Sequence, residues 1–256
     1  MKLSHFLRLV FVKVWFNLRS EAAQHRLSYT WWILEPALHM GVFYLIFKVL
    51  LQRGTPDFVA FLLCGLVPWL WFAKSVSNSS QSIIQGRGII GQAFIPKAFF
   101  PLAAVSQDTV KQSVVFLLLF LYVFATGFPL TSNWLWLLPI IITQFLLILA
   151  VSFLVAFIVP FVRDFRYLVA TGLTLGMLGS GVFFSYPQVV SPQNRDLFLL
   201  NPMANLLVNY RLVLLHGETP LILSLAVIST ISLAILALVF FLLRRFDNIL
   251  TRSVVE

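Results

Sequence analysis

Carboxylate, imidazole and thiol side chains are the usual raw material of hydrolytic and metal chemistry, and this chain has nine Asp and Glu, four His and one Cys in 256 residues. They are scattered singly. Glu21, Asp57, Asp196, Glu218, Asp247 and Glu256 fall in connections or tails, Asp108 and Asp164 near the edges of apolar stretches, and only Glu35 inside one. Base-assisted or metal-assisted transfer needs such groups gathered at one place. Walker A, HExxH and CxxC patterns are absent as well. The expectation is therefore no catalytic residue, no metal site and no cofactor. Cys64 has no second cysteine to pair with and reads as a small apolar core residue.

One chemical motif does match. Gly86-Arg87-Gly88-Ile89-Ile90-Gly91 fits G-x-G-x-x-G, with Asp108 at about the spacing of a ribose-binding acid. Its context rules against dinucleotide binding, because Ser75 to Gln85 is a polar tract rather than a buried strand and a membrane span follows. The loop has a better physical use. Ile89 to Lys97 is apolar and basic, too short to cross a bilayer, and bounded by Pro96 and Pro101, which suggests a short helix whose Ile89, Ile90, Phe94 and Ile95 need cover. That cover is either a protein partner or the lipid interface.

The elements that position these residues are membrane helices. Hydrophobic residues make up 60% and charged residues 11% of the chain, with a mean hydropathy of +0.94, far from the roughly 25% charge of soluble domains. Crossing the hydrocarbon core takes about 20 residues of helix, and six stretches qualify: 32–51, 58–76, 111–128, 134–161, 168–186 and 221–243. The fold class expected is an all-α integral membrane protein, a single transmembrane domain over 1–256.

An even number of spans puts both ends on one side. That side collects Lys2, Arg8, Lys13, Arg19 and Arg26, then Arg87, Lys97 and Lys111, then Arg163 and Arg166, and finally Arg244, Arg245 and Arg252. The other face has Lys48, Arg53, Arg195 and Arg211, and Lys74 lies within span two. The positive-inside rule makes the first side cytoplasmic. Anionic lipid accounts for the net charge of +9 without nucleic acid.

Residues 1–28 show Leu3, Leu7, Val10, Phe11, Val14, Trp15 and Leu18 at helical spacing, with Lys2, His5, Arg8 and Lys13 mostly opposite. This is the pattern of an amphipathic helix on the cytoplasmic interface, or of one packed against a partner protein. Rings are abundant, with 7 Trp, 6 Tyr and 26 Phe. Phe43, Tyr44 and Phe47, Trp69, Trp71 and Phe72, and Phe183, Phe184 and Tyr186 lie where an interfacial belt does not explain all of them. They could line a conduit and stack on sugar rings, or face lipid. Gly172, Gly176 and Ser180 allow close helix approach, within the chain or at a dimer seam. Residues 187–220 form an external segment whose apolar part, Met203 to Leu215, is too short to span and reads as re-entrant or interfacial.

Four segments carry a resemblance over essentially the whole chain: Tyr29-Thr30-Trp31-Trp32-Ile33-Leu34-Glu35-Pro36, Phe94-Ile95-Pro96-Lys97-Ala98-Phe99-Phe100-Pro101, Phe161-Val162-Arg163-Asp164-Phe165-Arg166-Tyr167, and Leu200-Asn201-Pro202-Met203 through Tyr210-Arg211. The chain resembles the transmembrane subunit of type 2 ABC exporters (Wzm type), the permeases for O-antigen, capsule or teichoic-acid polymers. The resemblance implies a homodimer in the bacterial inner membrane, working with two copies of a separate ABC ATPase subunit and moving undecaprenyl-linked polysaccharide, most directly O-antigen, between the two permease chains. It assigns Arg87, Ile90, Phe94 and Lys97 in the 85–100 loop to coupling with the ATPase. It further assigns Arg8, Arg19 and Arg26 to the lipid pyrophosphate, and Asn201, Pro202, Tyr210 and Arg211 to an external gate. The polysaccharide channel would be faced by Phe43, Tyr44, Phe47, Trp69, Phe183, Phe184 and Tyr186. A drug or lipid permease of the same architecture is the first alternative. A secondary carrier, which would depend on Glu35, His39 or Asp108, is the second.

Overall fold

The computed structural model describes residues 3–24, 30, 34, 37–39, 41–42, 44–50, 57–92 and 95–255. These are helical and turn residues, with no strand among them. Part of the first expected span, residues 32–33, 35–36, 40, 43 and 51, lies outside the described residues; a π-helical turn at Leu45–Leu50 belongs to it. The chain is a multi-pass membrane protein. Among the described residues, four helical stretches are long and apolar enough to cross: Phe58–Ser80, Phe99–Ala125, Ser132–Ile158 and Ile222–Arg245.

We number the helices α1 (Leu3–Gln24), α2 (Phe58–Ser80), α3 (Ser82–Gln85), α4 (Arg87–Ile90), α5 (Phe99–Ala125), α6 (Leu137–Ile158), α7 (Phe165–Gly179), α8 (Tyr186–Val189), α9 (Arg195–Leu199), α10 (Pro202–Arg211), α11 (Ile222–Arg245) and α12 (Asp247–Val255). Prolines punctuate them as their chemistry requires. Pro101 and Pro139 sit in the first turns of α5 and α6, where backbone N–H groups have no helical acceptor anyway. Gly127, with φ +84°, and Pro129 end α5. Asn201 caps α10 by accepting from the N–H groups of Met203 (3.0 Å) and Ala204 (3.4 Å), with Pro202 at the first helical position.

Helix α2 is the centre, packed on α5, α6, α7 and α10, with α11 laid against the far side of α6. Its buried face, including Leu62, Leu66, Trp69 and Val76, anchors one core with Phe116, Ile148, Leu206 and Tyr210. A second core joins Val10 and Val14 of α1 to Ile83, Ile90, Phe99, Phe153, Leu243 and Leu250. That second core brings both ends of the chain to the same end of the bundle, hereafter the basic end; α9 and α10 lie at the other.

Two boundaries differ from the sequence expectation. Helix α5 starts at Phe99, not near residue 111, because Gln107, Asp108, Lys111 and Gln112 in its early turns face other helices and hide the helix from a hydropathy count. Helix α7 stops at Gly179 rather than running to Tyr186. The chain turns left-handed at Gly181, φ +71°, a conformation suited to glycine. At about 22 Å, α7 is short of the hydrocarbon thickness. Beyond it, Pro192–Leu199 and Pro202–His216 form a pair bent by 104°, the geometry of a broken span or re-entrant loop.

Candidate functional site

At the basic end, α1 is held to α5 by side chains as well as by packing. Asn17 donates to Gln107 Oε1 (2.9 Å), Gln107 Nε2 donates to Glu21 (2.7 Å), and Lys111 Nζ pairs with both Glu21 oxygens at 2.8 and 2.6 Å. The rings of Phe6 and Phe99 meet edge to face at 6.4 Å. The apolar stripe of α1 is thereby divided. Val10 and Val14 are buried on the chain, while Leu7, Phe11, Trp15 and Phe16 are exposed beside Arg8 and Arg19. Arg26 lies outside the described residues.

The loop expected to couple comprises α3, α4 and the turn before α5. Arg87 and Ile89 are exposed on it. Ile90 is buried near α12, and Lys97, also buried, pairs with Asp247 of α12 at 3.5 Å. Of the expected loop contacts, then, Arg87 presents itself outward, Ile90 and Lys97 bind the loop to the chain's own tail, and Phe94 lies outside the described residues.

Behind this loop is a cavity of about 450 Å³ between α1, the ends of α2 and α3, and the start of α5. On its wall Asn78 Nδ2 donates to both oxygens of Asp108, at 3.0 and 2.9 Å. Sequence reasoning placed Asp108 at a membrane edge without a partner. Asn78 lies in the polar tract Ser75 to Gln85, and that tract was the available signal that this stretch is polar for a reason.

At the opposite end, Tyr210 and Arg211, two of the four residues expected to gate, lie in a buried, bonded block, and Asn201 and Pro202 are half-buried at its edge. Arg211 donates to the carbonyls of Gly181 (2.8 Å), Val182 (2.9 Å) and Phe61 (3.3 Å), and its guanidinium lies 3.6 Å from the centre of the Phe61 ring. Gly65 makes the room, because a Cβ there would come within 2.5 Å of Arg211 Nη2. The neighbouring Tyr210 hydroxyl donates to Gln144 Oε1 (2.8 Å), and Gln144 Nε2 donates to the Pro68 carbonyl of α2 (2.8 Å). Gln112 makes the matching bond to the Val67 carbonyl (2.9 Å). Asn201 also donates to Ser180 (2.9 Å), tying α10 back to the end of α7. Gln144 escaped the sequence reading, although an amide in the middle of an apolar span is itself a signal of a buried bond.

The aromatic residues separate into three groups. Trp69 and Phe183 are in the core, with Gly176 of α7 closely applied to the Trp69 ring. Phe184 and Tyr186 gather on Phe198, Tyr186 stacked at 5.5 Å and 8°. Tyr44 is exposed. Phe43 and the Phe47 side chain are outside the described set. Phe198, the hub of the second group, was not singled out from sequence. Among the described residues no group of three His, Cys, Asp or Glu could hold a metal ion.

No family model matches the chain. It is 27% identical over 192 residues to the O-antigen export system permease protein RfbA of Klebsiella pneumoniae, covering 75% of this chain and 74% of that one. It is 28% identical over 197 residues to the protein of the same name from Myxococcus xanthus, covering 76% and 75%. The polysialic acid transport protein KpsM of Escherichia coli is 32% identical over 114 residues, a match of 43% of this chain and 44% of that one. The resemblance to type 2 ABC permeases of polysaccharide export holds in these matches.

Proposed function

We propose that this chain is the channel-forming transmembrane subunit of an ATP-driven exporter that carries a lipid-linked polysaccharide, O-antigen in the first instance, across the cytoplasmic membrane. The similarity to O-antigen export permeases over three quarters of the chain carries this reading. Two copies of the chain would enclose the conduit, and two copies of a separate ATPase subunit would supply the energy, since this chain has no nucleotide-binding motif of its own.

Within that reading, the N- and C-terminal helices face the cytoplasm with six crossings between them. Arg87 and Ile89 are among the exposed residues of the coupling loop, with Phe94 further along it in sequence, while Ile90 and Lys97 brace the loop from inside. Arg8, Arg19 and Arg26 would meet the pyrophosphate of the lipid carrier where the exposed rings of α1 enter the membrane surface. Asn201, Pro202, Tyr210 and Arg211 would hold the outer gate. Phe43, Tyr44, Phe47, Phe184 and Tyr186 remain the aromatic candidates for the conduit, and Trp69 and Phe183 would support them from the core.

The test is deletion of this chain in its parent cell, with its ATPase subunit left in place. Undecaprenyl-linked glycan should accumulate on the cytoplasmic side and return to the surface on complementation. Unchanged surface glycan would end the proposal. Phe94→Asp with Arg87→Glu should separate the ATPase from the membrane subunit, and retention of both association and export would move the coupling contact elsewhere.

A further inference from the structure

The geometry points to the cavity at the basic end as a binding site for an uncharged sugar unit, set between the interface helix α1 and the coupling loop. This rests on the polysaccharide reading above and gives the glycan itself, rather than its lipid carrier, a contact on the cytoplasmic side.

The wall chemistry selects the ligand class. Asn17, Asn78, Gln81, Gln85 and Gln107 line the cavity, and each amide offers a donor and an acceptor. A hydroxyl group does the same, so a polyol can be matched without transfer of charge. The charged lining residues cancel: Lys13 and Lys111 against Glu21 and Asp108. With Lys111 already held by Glu21 and the Asp108 oxygens occupied by Asn78, the wall has no surplus of cations for a phosphate. One side is aromatic. Phe99 and Phe100 stand edge to face at 5.3 Å and, although buried in the second core, border the cavity, giving the C–H groups of a sugar an apolar edge to meet. The volume of about 450 Å³ lies in the range of small-molecule sites, about 300–1,000 Å³.

Position gives the site its use. Gly86 and Ile89 close the cavity from the α3–α4 turn, next to exposed Arg87. Gly86 rests directly on the Phe100 ring, where a Cβ would collide. A ligand in the cavity therefore touches the back of the same turn whose front is proposed to meet the ATPase, so occupancy and docking share one short element.

The experiment uses the full chain with its ATPase subunit in lipid nanodiscs. Ser77→Cys puts a thiol on the cavity wall, and native Cys64 is buried and does not compete for maleimide. Glycan released from the parent cell's surface by mild acid should slow labelling about threefold at twice its Kd, by mass action. Inorganic pyrophosphate should not. Gln85→Leu should remove the protection while leaving the melting temperature unchanged. Gln81→Cys reads the same wall if Ser77→Cys fails to assemble. Absence of protection by the glycan, protection by pyrophosphate, or protection that survives Gln85→Leu would each overturn the site. The deletion strain keeps the two ideas apart, since lost export with no protection sinks the sugar site alone, whereas intact export in that strain sinks the polysaccharide reading.

Discussion

The two ends of this bundle treat polar side chains in opposite ways. Around Arg211, the guanidinium, Tyr210, Gln144 and the carbonyls of Gly181, Val182 and Pro68 are bonded to one another in a dry block. Around Asp108, amides and charges are equally numerous but surround open space. A buried polar network that is fully satisfied makes a structure rigid, and one arranged around a cavity leaves hydrogen-bonding capacity for something else. The first end is thus built to hold a shape and the second to receive a ligand, although both are rich in polar side chains.

Substitutions that break this contrast should show most strongly at the dry end. Arg211→Ala removes the donor to three buried carbonyls, each of which costs about 1–3 kcal/mol when left unmatched, so the purified chain should lose most of its thermal stability in a fluorescence-detected melting assay. Lysine at the same position cannot reproduce the forked contacts and should recover only part of the loss. A wild-type melting curve for Arg211→Ala would remove the distinction between the two ends.

Gly65→Ala comes next. Its new Cβ would press on Arg211 Nη2 and sit 3.1 Å from the Val182 carbonyl, an overpacking of about 1–3 kcal/mol. Combined with Arg211→Ala, the penalty should shrink, and a double-mutant cycle measures that coupling directly. Tyr210→Phe strips one bond from Gln144 and should lower stability by about 1 kcal/mol. The smallest effect belongs to the basic end. Glu21 is over a third exposed, so Glu21→Gln should change stability by less than about 1 kcal/mol. A large melting shift there would mean that the cavity wall, too, is primarily structural.

Much of the fold was legible because a bilayer imposes local rules. The helices α2, α6 and α11 announce themselves by apolar length, and Pro160 marks where the chain leaves α6. Helix α5 was read short because the count scores each residue by type, and a glutamine bonded to a neighbouring helix scores like one in water. The stripe on α1 was visible from its spacing, but its division into Val10 and Val14 on one side and Phe11 and Trp15 on the other depends on where α5 passes. The Ile89-Ile90 pair shows the same limit over two adjacent residues, one exposed and one buried, which only the position of α12 decides.

Composition and spacing alone therefore determined that this is a helical membrane protein with basic connections and an amphipathic stripe near its start, since hydropathy, charge asymmetry and helical period are properties of short windows. Tertiary structure decided which polar groups meet. Arg211 reaches Phe61 across 150 residues of sequence, Lys111 reaches Glu21 across 90, and Asn78 finds Asp108 across 30. No local window spans such separations, and it is the packing of α2 against α5, α6 and α10 that brings one set together as a closed block and the other around a cavity.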